Sequence, residues 1–244
     1  MQEIEHSDYD VQKAEGNKWH YEQLAKRCIT ALQKRHARGY YVANREEARA
    51  KVLELIPEGA SIGIGDSLSL WQIGIFDELY RRNDHEIFHP FAIREKGYFK
   101  NHTEEVFEIM RKAMVADVFL SGTNALTLDG KLVSIDQLGN RVAGLIFGSK
   151  KCIVVASANK IVKNVDEAIQ RVEEVAAPQV VKWHNRHHSM ENVPPCGVTG
   201  TCSHCTNVNR VCVATVIIDG EGLLFGTLDR ARMHVIIVGE DLGY

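Results

Sequence analysis

A chain of 244 residues with 45% hydrophobic and 25% charged side chains has the make-up of a folded globular protein and can bury a core without covalent staples. Its formal net charge of −3, with acids and bases interspersed, offers no basic face to a nucleic acid or an anionic membrane. The acidic, polar opening "MQEIEHSDYD" and the lack of any apolar run of membrane-spanning length predict a cytoplasmic protein with neither leader nor span.

From Tyr21 the apolar residues Leu24, Ala25, Cys28, Ile29 and Leu32 fall at helical spacing, which predicts an opening helix with one face laid on this chain's own sheet or on a partner's surface. Asn44 followed by Glu47 has the form of a capping box, and Ala48, Val52, Leu55 and Ile56 make the stripe of a second helix ending at "PEG". "ASIGIG" then reads as a strand and "DSLSLWQIGIFDELY" as a helix with Leu68, Trp71, Ile75 and Leu79 on one side. "EIFHPF" is a second candidate strand, "TEEVFEIMRKAM" a helix and "ADVFLSG" a third strand. This alternation predicts an α/β fold with a mostly parallel sheet covered by helices.

Asp129-Gly130 stands between two runs of apolar alternation, the signature of a hairpin. "GNRVAGLIFG" reads as a short helix stopped at Gly148, "KCIVVAS" as a buried strand, and "NVDEAIQRVEEVA" as an amphipathic helix ahead of Pro178. "RVCVATVIID" and "RMHVIIVG" complete the strands. With no internal repeat and no long linker, the organisation reads as an N-terminal helical extension over 1–57 followed by one α/β domain over 58–244.

The most specific chemical signal lies at 184–212. Cys196, Cys202, Cys205 and Cys212 form a C-x5-C-x2-C-x6-C pattern in a polar loop, with Gly197 and Gly200 permitting the sharp turns that bring four sulfurs together. In a reducing compartment such clusters hold metal more often than disulfides. Zinc and a four-iron cluster both take four thiolates, and the spacing alone does not choose between them. His204, His184, His187 and His188 are each able to replace one thiolate. Cys28 and Cys152, set in apolar patterns, read instead as buried structural thiols.

A second signal is the set of polar residues at strand ends, where open α/β sheets bind ligands. Gly65, Asp66 and Ser67 follow the first strand, suited to an anion or to a tight turn and helix cap. The stretch "SGTNALTLDGKLVSIDQLGNR" gathers Gly122, Thr123, Asn124, Asp136, Gly139, Asn140 and Arg141, and "SANKIV" adds Asn159 and Lys160. Arg141 suits a carboxylate or phosphate, and Asp136 suits an acid, a base or a backbone anchor. Turn and capping duties are the competing explanation for these residues.

The run "ADVFLSGTNALTLDGKLVSIDQLGNRVAGLIFGSKKCIVVASANKIV", with "IGIGDSLSLWQIGIFDEL" before it and "RMHVIIVGEDLGY" after it, resembles the lactate-utilization (LUD) domain family, in particular its protein C branch. The resemblance runs from about residue 15 onward. It implies a fold similar to ribose-5-phosphate isomerase, glucosamine-6-phosphate deaminase, the CoA transferases and 5-formyltetrahydrofolate cyclo-ligase. It also implies a part in oxidising a small hydroxy acid such as lactate, with iron–sulfur partner proteins, and it turns the metal preference toward a four-iron cluster. Gln137-Leu138 and the "HNRHH" run depart from the family pattern. Two alternatives stand beside that expectation: a non-redox enzyme on a phosphorylated, CoA- or folate-type substrate with a structural zinc loop, and a non-catalytic subunit of an iron–sulfur complex. The expected partners are a small carboxylate- or phosphate-bearing ligand and a second copy of the chain, with no nucleic acid and no membrane.

Overall fold

The computed structural model describes residues 6–90, 92, 103–222 and 231–244. Two sheets organise it. The larger is six-stranded, in the order β1-β10-β7-β4-β2-β3, with β1 Arg38–Val42, β2 Ile62–Ile64, β3 Ile87–Phe88, β4 Val118–Gly122, β7 Lys151–Ser157 and β10 Met233–Val238. Every pairing within it is parallel. Such a sheet must be covered on both faces, and the uninterrupted apolar runs of β7 and β10 answer that requirement. Val154, Val155, Ile236 and Ile237 are all fully buried, each worth about 1.5–3 kcal/mol relative to exposure.

One face is covered by α2 Arg45–Leu55, α3 Leu68–Gln72 and α4 Ile75–Arg82, whose Val52, Leu70 and Leu79 pack on Ile153, Val155 and Ile236. The other face carries α1 His6–Lys34, α5 Thr103–Met114 and α6 Asn140–Ile146. There Leu32, Ala113 and Leu145 meet Cys152, Val154 and Val235. Cys28 belongs to the same cluster, so α1 lays its stripe on this chain's own sheet. Burial pushes both the Cys28 and Cys152 thiols up to about 12, which leaves them packing groups rather than reactive ones.

The second sheet, ordered β8-β5-β6-β9, is mixed. The Asp129-Gly130 hairpin supplies β5 Ala125–Thr127 and β6 Leu132–Asp136, and β8 Ile161–Val162 and β9 Ala214–Ile218 flank it. A long helical element packs against this sheet. It comprises α7 Val165–Arg171, a π-helical turn Val172–Ala176 and α8 Ala177–His188. Its Val172 and Val181 join Ala125, Val133 and Ile135 in a separate apolar cluster.

Four local features differ from the sequence-based expectation. "RGYYV" forms β1 between the first two helices. The segment after Ser67 is two helices rather than one, because Gly74 takes φ 68 and breaks the first. The "EIFHPF" stretch contributes only the two residues of β3, and Phe91 lies outside the described residues. Pro178 does not end the helix. It sits in the first turn of α8, directly after the π-helical turn, where the missing N–H is tolerated. Among the described residues no helix is long and apolar enough to cross a membrane.

Candidate functional site

In the larger sheet the chain leaves β2 toward β3 on one side and leaves β4 toward β7 on the other. The carboxyl ends of β2 and β4 therefore flank the crevice where such folds bind ligands. A cleft of about 190 Å³ opens there. Asp66 and Ser67 line it from the end of β2, Gly122, Thr123 and Asn124 from β4, Asp136, Asn140 and Arg141 from the β6–α6 corner, and Lys160 from beyond β7. Gly65, Gly139 and Asn159 are not on its wall. Gly65 packs beneath it, where a β-carbon would come within 3.0 Å of the Arg141 stem. Gly139 lies at the start of α6 with φ 86. Asn159 lies in the turn after β7, its Oδ1 buried with no hydrogen-bond partner.

Most of the polar groups are bound to one another. Ser67 caps α3, accepting from Leu70 N, and its Oγ would sit 2.4 Å from a β-carbon at Gly122, so glycine there lets β4 approach. Asp136 accepts from the N–H groups of Leu138 at 3.0 Å and Gly139 at 2.8 Å with one oxygen, and from Val142 N at 3.3 Å with the other. It thereby holds the α6 start in place. Arg141 donates to Gly122 O at 3.1 Å, to Asn124 Oδ1 at 2.9 Å and to Ile135 O, and lies 3.7 Å from Asp136. Its guanidinium thus ties β4, β6 and α6 together.

Lys160 stands apart. It is 5% exposed, and its Nζ donates to Ser69 Oγ at 3.1 Å and to Thr123 O at 3.3 Å. Burial lowers its pKa to about 7, and the nearby Arg171 and Arg141 cations act in the same direction. A buried amine beside two guanidinium groups is held near neutrality at physiological pH. Arg171 reaches over from α7, donating to Asn124 O at 2.7 Å and Tyr244 O at 3.0 Å, and this pins the Gly243–Tyr244 segment across the cleft.

Sequence reasoning did not single out Ser69, Arg171, Trp71, Trp183, Gly243 or Tyr244. Trp71, Trp183, Gly243 and Tyr244 line the cleft, while Ser69 and Arg171 bind groups that do. Of these, Gly243 and Tyr244 had a usable signal, since "EDLGY" follows a strand's carboxyl end.

The four cysteines of the loop line a second cleft of about 260 Å³ on the far side of Ile135 and Val211, which contribute to both cavities. The loop is fastened to α8 by Gly197, where a β-carbon would meet Val181 at 2.3 Å. Burial and the neighbouring thiols raise the pKa of Cys196 and Cys212. His204 N donates to Cys202 Sγ at 3.4 Å, the kind of N–H···S contact that supports a metal-bound thiolate. Among the described residues, the donor atoms that form a trio within 4.8 Å of one another are those of Glu173, Cys202 and His204, a set able to hold a single metal ion. Glu173 reaches them from the π-helical turn. His184 instead lines the first cleft, and His187 stacks on Trp183 with ring centroids 4.2 Å apart.

The architecture is α/β, with a cleft at the strand crossover of the larger sheet. The LUD domain model matches residues 25–238, and the chain belongs to the LUD domain family. No curated relative matches. Among solved structures, the chain is similar to a DUF162 family protein from Deinococcus radiodurans, at 14% identity and TM-score 0.46, covering 89% of this chain and 98% of that one. It is also similar to ribose 5-phosphate isomerase A from Neisseria gonorrhoeae, at 14% identity and TM-score 0.35, covering 82% and 95%. A third likeness is to ribose 5-phosphate isomerase from Plasmodium falciparum, at 10% identity and TM-score 0.30, covering 55% and 66%.

Proposed function

We propose that this LUD protein is a non-redox enzyme acting on a small substrate that bears a carboxylate or phosphate, with Lys160 as its proton-transferring amine. The observation that carries this reading is a buried lysine on the wall of a cleft at the strand crossover. An amine whose pKa lies near 7 both accepts and returns a proton at neutral pH, which is the condition for efficient acid–base work. The cations of Arg141 and Arg171 stand beside Lys160 and offset the carboxylates of Asp66 and Asp136 on the cleft wall, which leaves the amine end of the cleft open to an anion. Trp71, Leu138, Val180, Trp183 and Val211 supply the apolar walls that exclude water and strengthen that field. Arg141 and Asp136 serve the site by fixing the loops around it.

Calorimetric titration with inorganic phosphate and with pyruvate tests the reading. One of the two anions is expected to bind, and Lys160→Met to weaken that binding by about tenfold or more. An anion favours the protonated amine, so affinity should fall as pH rises through about 7. An unchanged affinity in the variant, or a flat pH profile, would overturn the assignment.

One observation favours a second reading, a four-iron cluster serving the oxidation of a small hydroxy acid. All four cysteines line one cleft, and four thiolates are what such a cluster takes. When bound, a cluster would supply one-electron transfer. Iron, zinc and acid-labile sulfide measured on anaerobically purified protein separate the readings. Iron and sulfide near four per chain would favour the cluster, and stoichiometric zinc in colourless protein would leave the loop as a wall of the cleft.

A further inference from the structure

Lysine is seldom buried without an acidic partner. Among the described residues no carboxylate lies within 4.0 Å of Lys160, whose acceptors are the neutral Ser69 Oγ and Thr123 O. A neutral amine has two N–H bonds and one lone pair, so two acceptors satisfy both donors and leave the lone pair uncommitted. Gly243, which also lines the cleft, keeps that nitrogen uncovered: a β-carbon there would sit 2.4 Å from Nζ. Gly243 takes φ 66, a conformation that itself favours glycine, and the same residue leaves no side chain over the amine. A desolvated lysine beside other cations is also the usual setting of an amine nucleophile.

We propose that Lys160 is a nucleophile that condenses with the carbonyl carbon of a small aldehyde or 2-oxo acid carrying the anionic group. The inference rests on the anion-binding reading of the same cleft and names its substrate class. The nitrogen lone pair forms the C–N bond while the carbonyl π pair moves to oxygen, and a proton passes from nitrogen to that oxygen to give a carbinolamine. The C–O bond then breaks and the oxygen leaves as water, so that amine plus carbonyl becomes imine plus water with no change in oxidation level. Ser69 Oγ, already hydrogen-bonded to Nζ, is placed to pass the proton. The protonated imine withdraws electrons from the adjacent carbon, which suits it to proton removal or carbon–carbon cleavage there.

The test is to incubate the full chain with pyruvate, and separately with glyceraldehyde 3-phosphate, reduce with borohydride and locate the adduct by peptide mass mapping. The expected result is an adduct at Lys160 about tenfold or more above that at Lys163 and Lys182, absent in Lys160→Arg. It should also be suppressed in Gly243→Val, whose circular dichroism and melting curve report whether the fold is intact. Adducts spread evenly over the lysines, or none at Lys160 with either probe, would overturn the proposal. Calorimetry with the same probes, without reductant, separates the two claims. Binding that depends on Lys160 with no trapped adduct removes the nucleophile and leaves the anion site, whereas no binding and no adduct removes both.

Discussion

Replacing Lys160 by methionine is expected to stabilise the folded protein at pH 6 by about 3–5 kcal/mol, with the difference shrinking toward zero near pH 10. The sign follows from the lowered pKa, about 7 in the fold against an ordinary 10.5. Below about pH 7 both the folded and unfolded chains carry the proton, and the fold bears the full cost of a buried ammonium. Between about 7 and 10.5 the unfolded chain holds the proton and the folded chain does not, so stability rises with pH. Above 10.5 neither is charged and the penalty is gone. Methionine fills similar volume without a charge, which commonly raises stability at such sites. Urea melts of both proteins at pH 6, 8 and 10 check the prediction, and parallel pH profiles would show that the amine is not desolvated. A gain in stability bought by losing ligand binding is the trade expected where a strained group serves chemistry.

The opposite effect is expected at Arg141. Its guanidinium satisfies Gly122 O, Asn124 Oδ1 and Ile135 O and faces Asp136, all in the part-buried floor of the cleft. Arg141→Ala leaves these acceptors without a donor and the carboxylate without its cation, at a cost of about 3–5 kcal/mol. For a chain of this size that corresponds to a melting temperature lower by about 10 °C. Lysine should restore little, because one ammonium cannot span acceptors on β4 and β6 as a planar fork does. A melting curve for Arg141→Ala that overlays the parent would contradict the structural role drawn from these contacts.

The strong periodic signals were legible: the stripes of α1 and α2, the buried runs of β7 and β10, and the Asp129-Gly130 hairpin all follow from local spacing. What escaped depends on distant partners. β1 shows no alternation and becomes a strand because β10 pairs with it. β8 exists only as a neighbour of β5. The break at Gly74 was hidden because the apolar spacing continues across it. For the cleft, the rule that ligands sit at strand carboxyl ends gathered residues from β2, β4, β6 and β7 that lie around one cavity. Burial was invisible, however, so Lys160 was gathered with the other strand-end residues and not set apart from them. Arg171 and Trp183, on the helical element after β8, gave no local sign of facing it.

The placement of β10 carries a consequence for how the protein is made. Among the described residues this strand comes last in sequence, yet it lies between β1 and β7 and is the only one paired with β1. Until the ribosome has released residues 233–238, the sheet has an open slot, with β1 unpaired and one edge of β7 exposed. Exposed apolar edges of this kind invite association with other nascent chains, and parallel pairing across such sequence distances is slow. Shielding by a chaperone during translation would be most valuable here, and a premature stop even shortly before Met233 would leave a split sheet rather than a smaller working protein.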